Sequence, residues 1–268
     1  MIKLIALDLD DTLLMPDCTI PEEAISALRA AAAQGIKTVI ATGRSFPSAR
    51  LYAAQISSDC PVVCYNGSVI ASASGEILFS SLLSPDLMHR VAVFCKNHSL
   101  YLQMYSNDKI VIEKDCREFR IDPDSKIADF IELGDLTKAE LPPSPKMMIL
   151  DTPERLAEIR AELEAQFGEE LHLATSKEYL LEMMPKNISK SKTLSILSDR
   201  LGISRQEVMA CGDNTNDMEM LHWAGIGVAV ANAVKPLRDI ADYVSQAERS
   251  FGVIEAVEKF AIQHSCDP

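Results

Sequence analysis

Five short and nearly unbroken apolar runs constrain this fold more than any other feature: Ile2–Leu7, Ile36–Ala41, Val62–Cys64, Val208–Cys211 and Ile226–Val230. A strand with one wet face alternates apolar and polar residues, whereas a run that is apolar throughout is buried on both faces, as in a parallel sheet covered by helices. Helical patterns lie between the runs. Glu22–Gln34 follows Pro21 and stops at Gly35, and Ser189–Leu201 carries Leu194, Leu197 and Leu201 before stopping at Gly202. The alternation predicts an α/β fold with a doubly wound parallel sheet for the first and last stretches.

The middle of the chain reads differently. Strand-like runs at Leu100–Tyr105, Lys109–Ile112, Lys146–Leu150 and Tyr179–Met183 mix with helices at His89–Asn97 and Glu154–Phe167. In the second helix Leu156, Ile159, Leu163 and Phe167 form one apolar stripe. A chain of 268 residues has room for nearly two domains. The expected organisation is therefore a core of residues 1–83 and 186–268, interrupted by an inserted α+β domain at 84–185.

Charge narrows the ligands. With 26 Lys and Arg against 39 Asp and Glu, the net charge of −13 repels nucleic acid and anionic membrane. No apolar run is long enough to span a bilayer, and the N-terminus meets Asp8 too soon for a signal-peptide core. The seven cysteines form no C-x-x-C pair, which fits free thiols in a reducing cytoplasm. The five histidines, His89, His98, His172, His222 and His264, have no ligand spacing.

Chemistry concentrates at the ends of the runs. Asp8-Leu9-Asp10-Asp11-Thr12 follows the first, where open α/β sheets bind ligands. On an extended backbone Asp8 and Asp10 would point the same way, and adjacent carboxylates favour a cation such as magnesium between them. Gly212-Asp213-Asn214-Thr215-Asn216-Asp217 follows the fourth run, and Asp213 and Asp217 would share a face if a helix begins there. Either cluster alone also suits a turn or a helix cap. Convergence of both at neighbouring strand ends is not explained by capping, and a metal explains it. Thr42-Gly43-Arg44 after the second run offers a hydroxyl and amides to a phosphate oxygen. Lys190 at a helix start is misplaced against the helix dipole unless it faces carboxylates and a bound phosphate.

In this order, D-x-D-D-T, T-G-R, S-K and G-D-x-x-N-D, the motifs resemble the haloacid dehalogenase superfamily. Asn66-Gly67, Ile188-Ser189-Lys190 and Ala231-Asn232-Ala233 make the chain similar to its Cof-type, subfamily IIB phosphatases. Ser191 and Val230-Ala231 depart from the family pattern. The resemblance implies a Rossmann-like core with an inserted cap and a magnesium-dependent phosphatase acting on a small phosphorylated metabolite. It further implies Asp8 as nucleophile and Asp10 as acid and base. Asp8, the Asp10 carbonyl and Asp213 would hold Mg2+, while Thr42, Gly43, Lys190 and Asn216 would hold phosphoryl oxygens. Asp217, Arg44 and Asn66 would stand behind them, Asp217 orienting Lys190 or a metal water. A phosphomutase of the same chemistry and a non-catalytic phosphate sensor are the alternatives. The sequence assigns no oligomeric state, and a monomer fits.

Overall fold

A computed structural model describes residues 1–116, 124 and 128–262; His264 and Cys266 lie outside the described residues. Strands β1 (Leu4–Leu7), β2 (Lys37–Ala41) and β3 (Val62–Cys64) run parallel, side by side. A tight turn then leads into an antiparallel pair, β4 (Val69–Ala71) and β5 (Ile77–Ser80), which forms one edge of the sheet. This edge adds an antiparallel pair to the expected parallel sheet. β4 is buried but only three residues long, and β5 is partly exposed.

After building a second sheet, described below, the chain returns as β12 (Val208–Gly212), β13 (Ile226–Ala229) and β14 (Tyr243–Val244) on the other side of β1. The resulting order is β14-β13-β12-β1-β2-β3-β4-β5, which reverses direction between β1 and β12. In a doubly wound sheet the ligand crevice opens at that switch point, beyond the carboxyl ends of the strands. Every residue of β1 is buried, so helices cover both faces, as its continuous apolar run requires. Helix α1 (Glu22–Ala33) packs on α2 (Phe46–Ile56) and on α8 (Arg249–Phe260), and α5 (Lys190–Leu201) packs on α6 (Met218–Trp223). In α6, Met220 is buried while Met218 and Trp223 are half-buried.

The second sheet comprises β6 (Tyr101–Ser106), β7 (Lys109–Ile112), β8 (Phe130–Glu132), β9 (Met147–Leu150), β10 (Leu171–Lys177) and β11 (Leu180–Pro185), in the order β10-β11-β9-β6-β7-β8. Its pairings are antiparallel except for β7 with β8. Helix α3 (Pro85–Asn97) starts four residues before the expected His89, because the Ser84 hydroxyl accepts the Leu87 N–H and Pro85 suits the first turn. Helix α4 (Pro153–Phe167) buries the expected stripe. Period-two alternation divides the faces of this sheet. Leu102, Met104, Met147, Ile149, Leu181 and Met183 pack with α3 and α4, while Tyr105, Met148, Leu150 and Leu180 pack with the first sheet's core.

The turn Tyr65–Gly67 takes three successive positive φ angles, 51°, 53° and 107°. A Cβ on Gly67 would lie 2.4 Å from the Ser189 carbonyl oxygen, and the Thr193 hydroxyl donates to the Gly67 carbonyl at 2.6 Å. This contact seats the start of α5 against the end of β3. Gly67→Ala should therefore cost about 2–4 kcal/mol of stability, read as a lower Tm in thermal unfolding. An unchanged Tm would show that the contact does not require glycine.

Candidate active site

Asp8 ends β1, and its N–H donates to the Cys211 carbonyl at 3.1 Å, tying it to β12. Asp8 (φ −68°, ψ 157°) and Asp10 (φ −69°, ψ 124°) keep extended angles, and the backbone turns at Asp11, φ 62°. Asp8 and Asp10 both line one cleft, but they face different cations. Asp8 Oδ1 accepts from Lys190 Nζ at 2.5 Å. The two Asp10 oxygens accept from Arg44 Nε and Nη2 at 2.8 and 2.6 Å, a bidentate grip that fixes the carboxylate plane.

Lys190 is the first residue of α5 and only 1% exposed. It also donates to Asp217 Oδ1 at 2.7 Å, while Asp217 Oδ2 accepts the N–H groups of Asp213 and Asn214. Asp217 thus combines the capping role and the charged role that sequence reasoning treated as alternatives. Helix α6 begins only at Met218, after a single tight turn at Thr215–Asp217. A Cβ on Gly212 would come within 2.6 Å of Asp217 Cβ, so the bare Cα lets Asp217 fold back beneath the strand end. Asp213 Oδ1 accepts from the Thr12 hydroxyl at 2.9 Å.

Carboxylate oxygens of Asp8, Asp213 and Asp217 lie within 4.8 Å of one another. Burial pushes Asp8 well above the ordinary carboxylate range; Lys190 opposes this, and Asp217, Asp213 and Asp10 add to it. Burial, reinforced by Asp217, pushes Asp213 up to about 7. On Lys190 burial acts the other way and pulls its ammonium down, but Asp217 and Asp8 more than offset this, so that it is raised and held charged. Crowded, under-neutralised, all-oxygen donors fit Mg2+. Asp8 and Asp213 are the more available ligands, since both Asp217 oxygens already accept bonds from the chain.

Thr42, Gly43 and Arg44 follow β2. Arg44 N–H donates to the Thr42 hydroxyl at 3.2 Å. Asn66 lies against Gly43, and its Oδ1 accepts from Asn216 Nδ2 at 3.4 Å. Asp8, Asp10, Gly43, Arg44, Asp213 and Asn216 line the cleft, whereas Thr42, Asn66, Lys190 and Asp217 are buried beside it.

The cleft holds about 550 Å³ counted out to its open mouth, and half of its wall comes from the second sheet and its loops. Sequence reasoning missed those residues. Lys146 and Glu182, 3% and 2% exposed, form an ion pair at 2.7 Å, and Glu182 also accepts from Asn66 Nδ2 at 2.9 Å. Lys177 pairs with Asp11, which Arg249 holds from the other side and whose carbonyl accepts from Asn232. Asn214 Nδ2 donates to the Ser176 carbonyl. A charge inside an apolar strand was the available signal for Glu182. Nothing local marks Lys177.

With no cation at the cluster, the folded chain keeps protons on Asp8 and Asp213 that the unfolded chain releases above about pH 4. The raised pKa values place their contribution in full below that pH, and it is lost as pH rises through about 7. The metal-stripped protein should therefore show a Tm that falls between about pH 5 and about pH 8, and the rise in Tm on adding Mg2+ should be larger at the higher pH. A stripped-protein Tm that climbs across this window would contradict the burial of these carboxylates.

The sequence model of the haloacid dehalogenase-like hydrolases matches residues 5–257. An HMP-PP phosphatase from Cronobacter sakazakii (strain ATCC BAA-894) is 31% identical over 237 residues, covering 88% of this chain and 87% of that protein. The crystal structure of a haloacid dehalogenase-like hydrolase from Bacteroides thetaiotaomicron superposes with a TM-score of 0.85 at 30% identity, covering 97% of this chain and 99% of the other. A haloacid dehalogenase-like hydrolase from B. subtilis gives the same TM-score at 25% identity, covering 97% and 100%. With a doubly wound core, an acidic cluster at its switch point and a family match across nearly its whole length, the chain belongs to the haloacid dehalogenase-like hydrolases.

Proposed function

We propose that the protein is a magnesium-dependent phosphatase of small phosphomonoesters, sugar phosphates foremost, working through an aspartyl phosphate. The observation that carries this reading is the meeting of Asp8, Lys190 and Asp213 at the carboxyl ends of β1 and β12. An Asp8 oxygen attacks phosphorus and the ester P–O bond breaks, with Asp10 giving its proton to the leaving oxygen. Asp10 then takes a proton from water. The water oxygen attacks the phosphoaspartate, breaking its P–O bond to Asp8 and releasing inorganic phosphate. Lys190, Thr42, the Gly43 amide and Asn216 hold the phosphoryl oxygens, and Arg44 keeps Asp10 at the cleft wall. Held by Asp8, Asp213 and the Asp10 carbonyl, magnesium would neutralise phosphoryl charge.

Residues 1–83 and 186–268 form the catalytic core in this reading, and 84–185 the cap that selects the leaving group. The two separate sheets support that division, as does the share of the cleft wall that the second contributes. A cleft walled on one side by the inserted segment suits small substrates and excludes polymers. The net charge of −13 opposes nucleic acid and anionic membrane, and no helix of the described residues is long and apolar enough to cross a bilayer. Free thiols at Cys18, Cys60, Cys64, Cys95, Cys116 and Cys211 support a reducing, cytoplasmic setting. The HMP-PP phosphatase relative supports a phosphorylated metabolite as substrate.

The test is phosphate release from an aryl phosphate and a panel of small phosphomonoesters, with and without Mg2+. Asp8→Asn should lose at least about three decades of kcat/KM while keeping its circular dichroism spectrum. Full activity in that variant, or no release across the panel by the wild type, overturns the proposal.

A further inference from the structure

The backbone of Thr42, Gly43 and Arg44 is almost fully tied down. Thr42 N–H donates to the Val63 carbonyl, the Thr42 carbonyl accepts from Asn66 N–H, and the Arg44 carbonyl accepts from Tyr65 N–H. Arg44 N–H holds the Thr42 hydroxyl oxygen, and the Gly43 carbonyl accepts from Lys146 Nζ at 2.8 Å. Among the described residues, the Gly43 N–H is the remaining backbone group of this loop and makes no hydrogen bond. It lies at the cleft wall. One anchor differs from the rest: Lys146 belongs to the second sheet's side of the cleft.

Resting on the phosphatase reading above, we infer that Lys146, held by Glu182, is a positioning residue that readies the phosphate-binding loop through the Gly43 carbonyl. Glycine has the freest backbone of any residue, so fixing its carbonyl fixes where the neighbouring N–H groups point. The Gly43 carbonyl and the Arg44 N–H share one peptide plane. An ammonium on the oxygen strengthens the N–H as a donor to the Thr42 hydroxyl, and that hydroxyl then keeps its own hydrogen for an acceptor on another side. Glu182 holds Lys146 at 2.7 Å and reaches Asn66, which packs beneath Gly43. A buried ion pair is no more stabilising than apolar residues of the same size, so stability does not account for this one. Because Lys146 comes from the inserted segment, the loop is ordered when that segment is seated over the core.

The experiment is titration of 15N-labelled protein with inorganic phosphate in the presence of Mg2+, following Kd and the Gly43 amide resonance, with kcat and KM for an aryl phosphate alongside. Lys146→Met should weaken phosphate by about tenfold, remove most of the phosphate-induced Gly43 shift and raise KM more than it lowers kcat. Lys146→Arg should recover most of each effect. Lys146→Met combined with Glu182→Leu leaves no lone buried carboxylate and should show the same weakening in a well-folded protein. Wild-type Kd and Gly43 shift in either Met-containing variant overturn the inference while leaving the phosphatase reading intact, provided that the wild type releases phosphate. A wild type that neither binds nor releases phosphate overturns both.

Discussion

Lys190 Nζ lies out of water between Asp8 and Asp217, and the neighbouring backbone is arranged around keeping it there. A buried ammonium costs several kcal/mol unless it is closely paired, and the first residue of a helix is the place where the helix dipole favours it least. The compensation comes from three separate parts of the chain. Asp8 reaches it from the end of β1, Asp217 folds back under the bare Cα of Gly212, and the left-handed turn at Tyr65–Gly67 lets α5 approach without a side chain between. Asp217 cannot drift toward solvent, because two backbone amides hold its other oxygen. The same lysine moderates the repulsion among Asp8, Asp213 and Asp217 without removing it, and Asp8 and Asp213 remain well above the usual carboxylate range.

What could be read from the sequence follows from how local each signal is. Strands β1, β2, β3, β12 and β13 announce themselves because burial on both faces makes their runs nearly continuously apolar, and the acidic and T-G-R motifs sit directly at the ends of β1, β12 and β2. Helix α3 shows the limit of reading apolar spacing alone: its first turn is set by the Ser84 cap and Pro85. The edge strand β5 and β10 are hard to read because they are partly exposed and carry polar residues, and β4 because it is a run of only three.

Lys146 and Glu182 were illegible because their meaning lies in distant partners. Lys146 finds Gly43 across 103 positions, and Glu182 finds Asn66 across 116. Their placement is nevertheless a consequence of strand geometry. Alternate residues of β11 pack under the helices as Leu181 and Met183, which leaves Leu180 and Glu182 for the face above the core. One covering of helices thus leaves the other face of the same sheet free to line the cleft.

The strand order also has a consequence for how the molecule is made. β1 lies between β2 and β12, so a chain emerging from the ribosome has one edge of its most apolar strand unpaired until Val208–Gly212 has been synthesised. The second sheet draws all its strands from residues between Tyr101 and Pro185 and can close in the meantime. An open apolar edge is a template for pairing with the wrong partner. The interval between completion of the second sheet and arrival of β12 is therefore the stretch of biosynthesis in which the nascent chain is most exposed to aggregation, and the assembly of the reactive centre and the closing of that edge are one event.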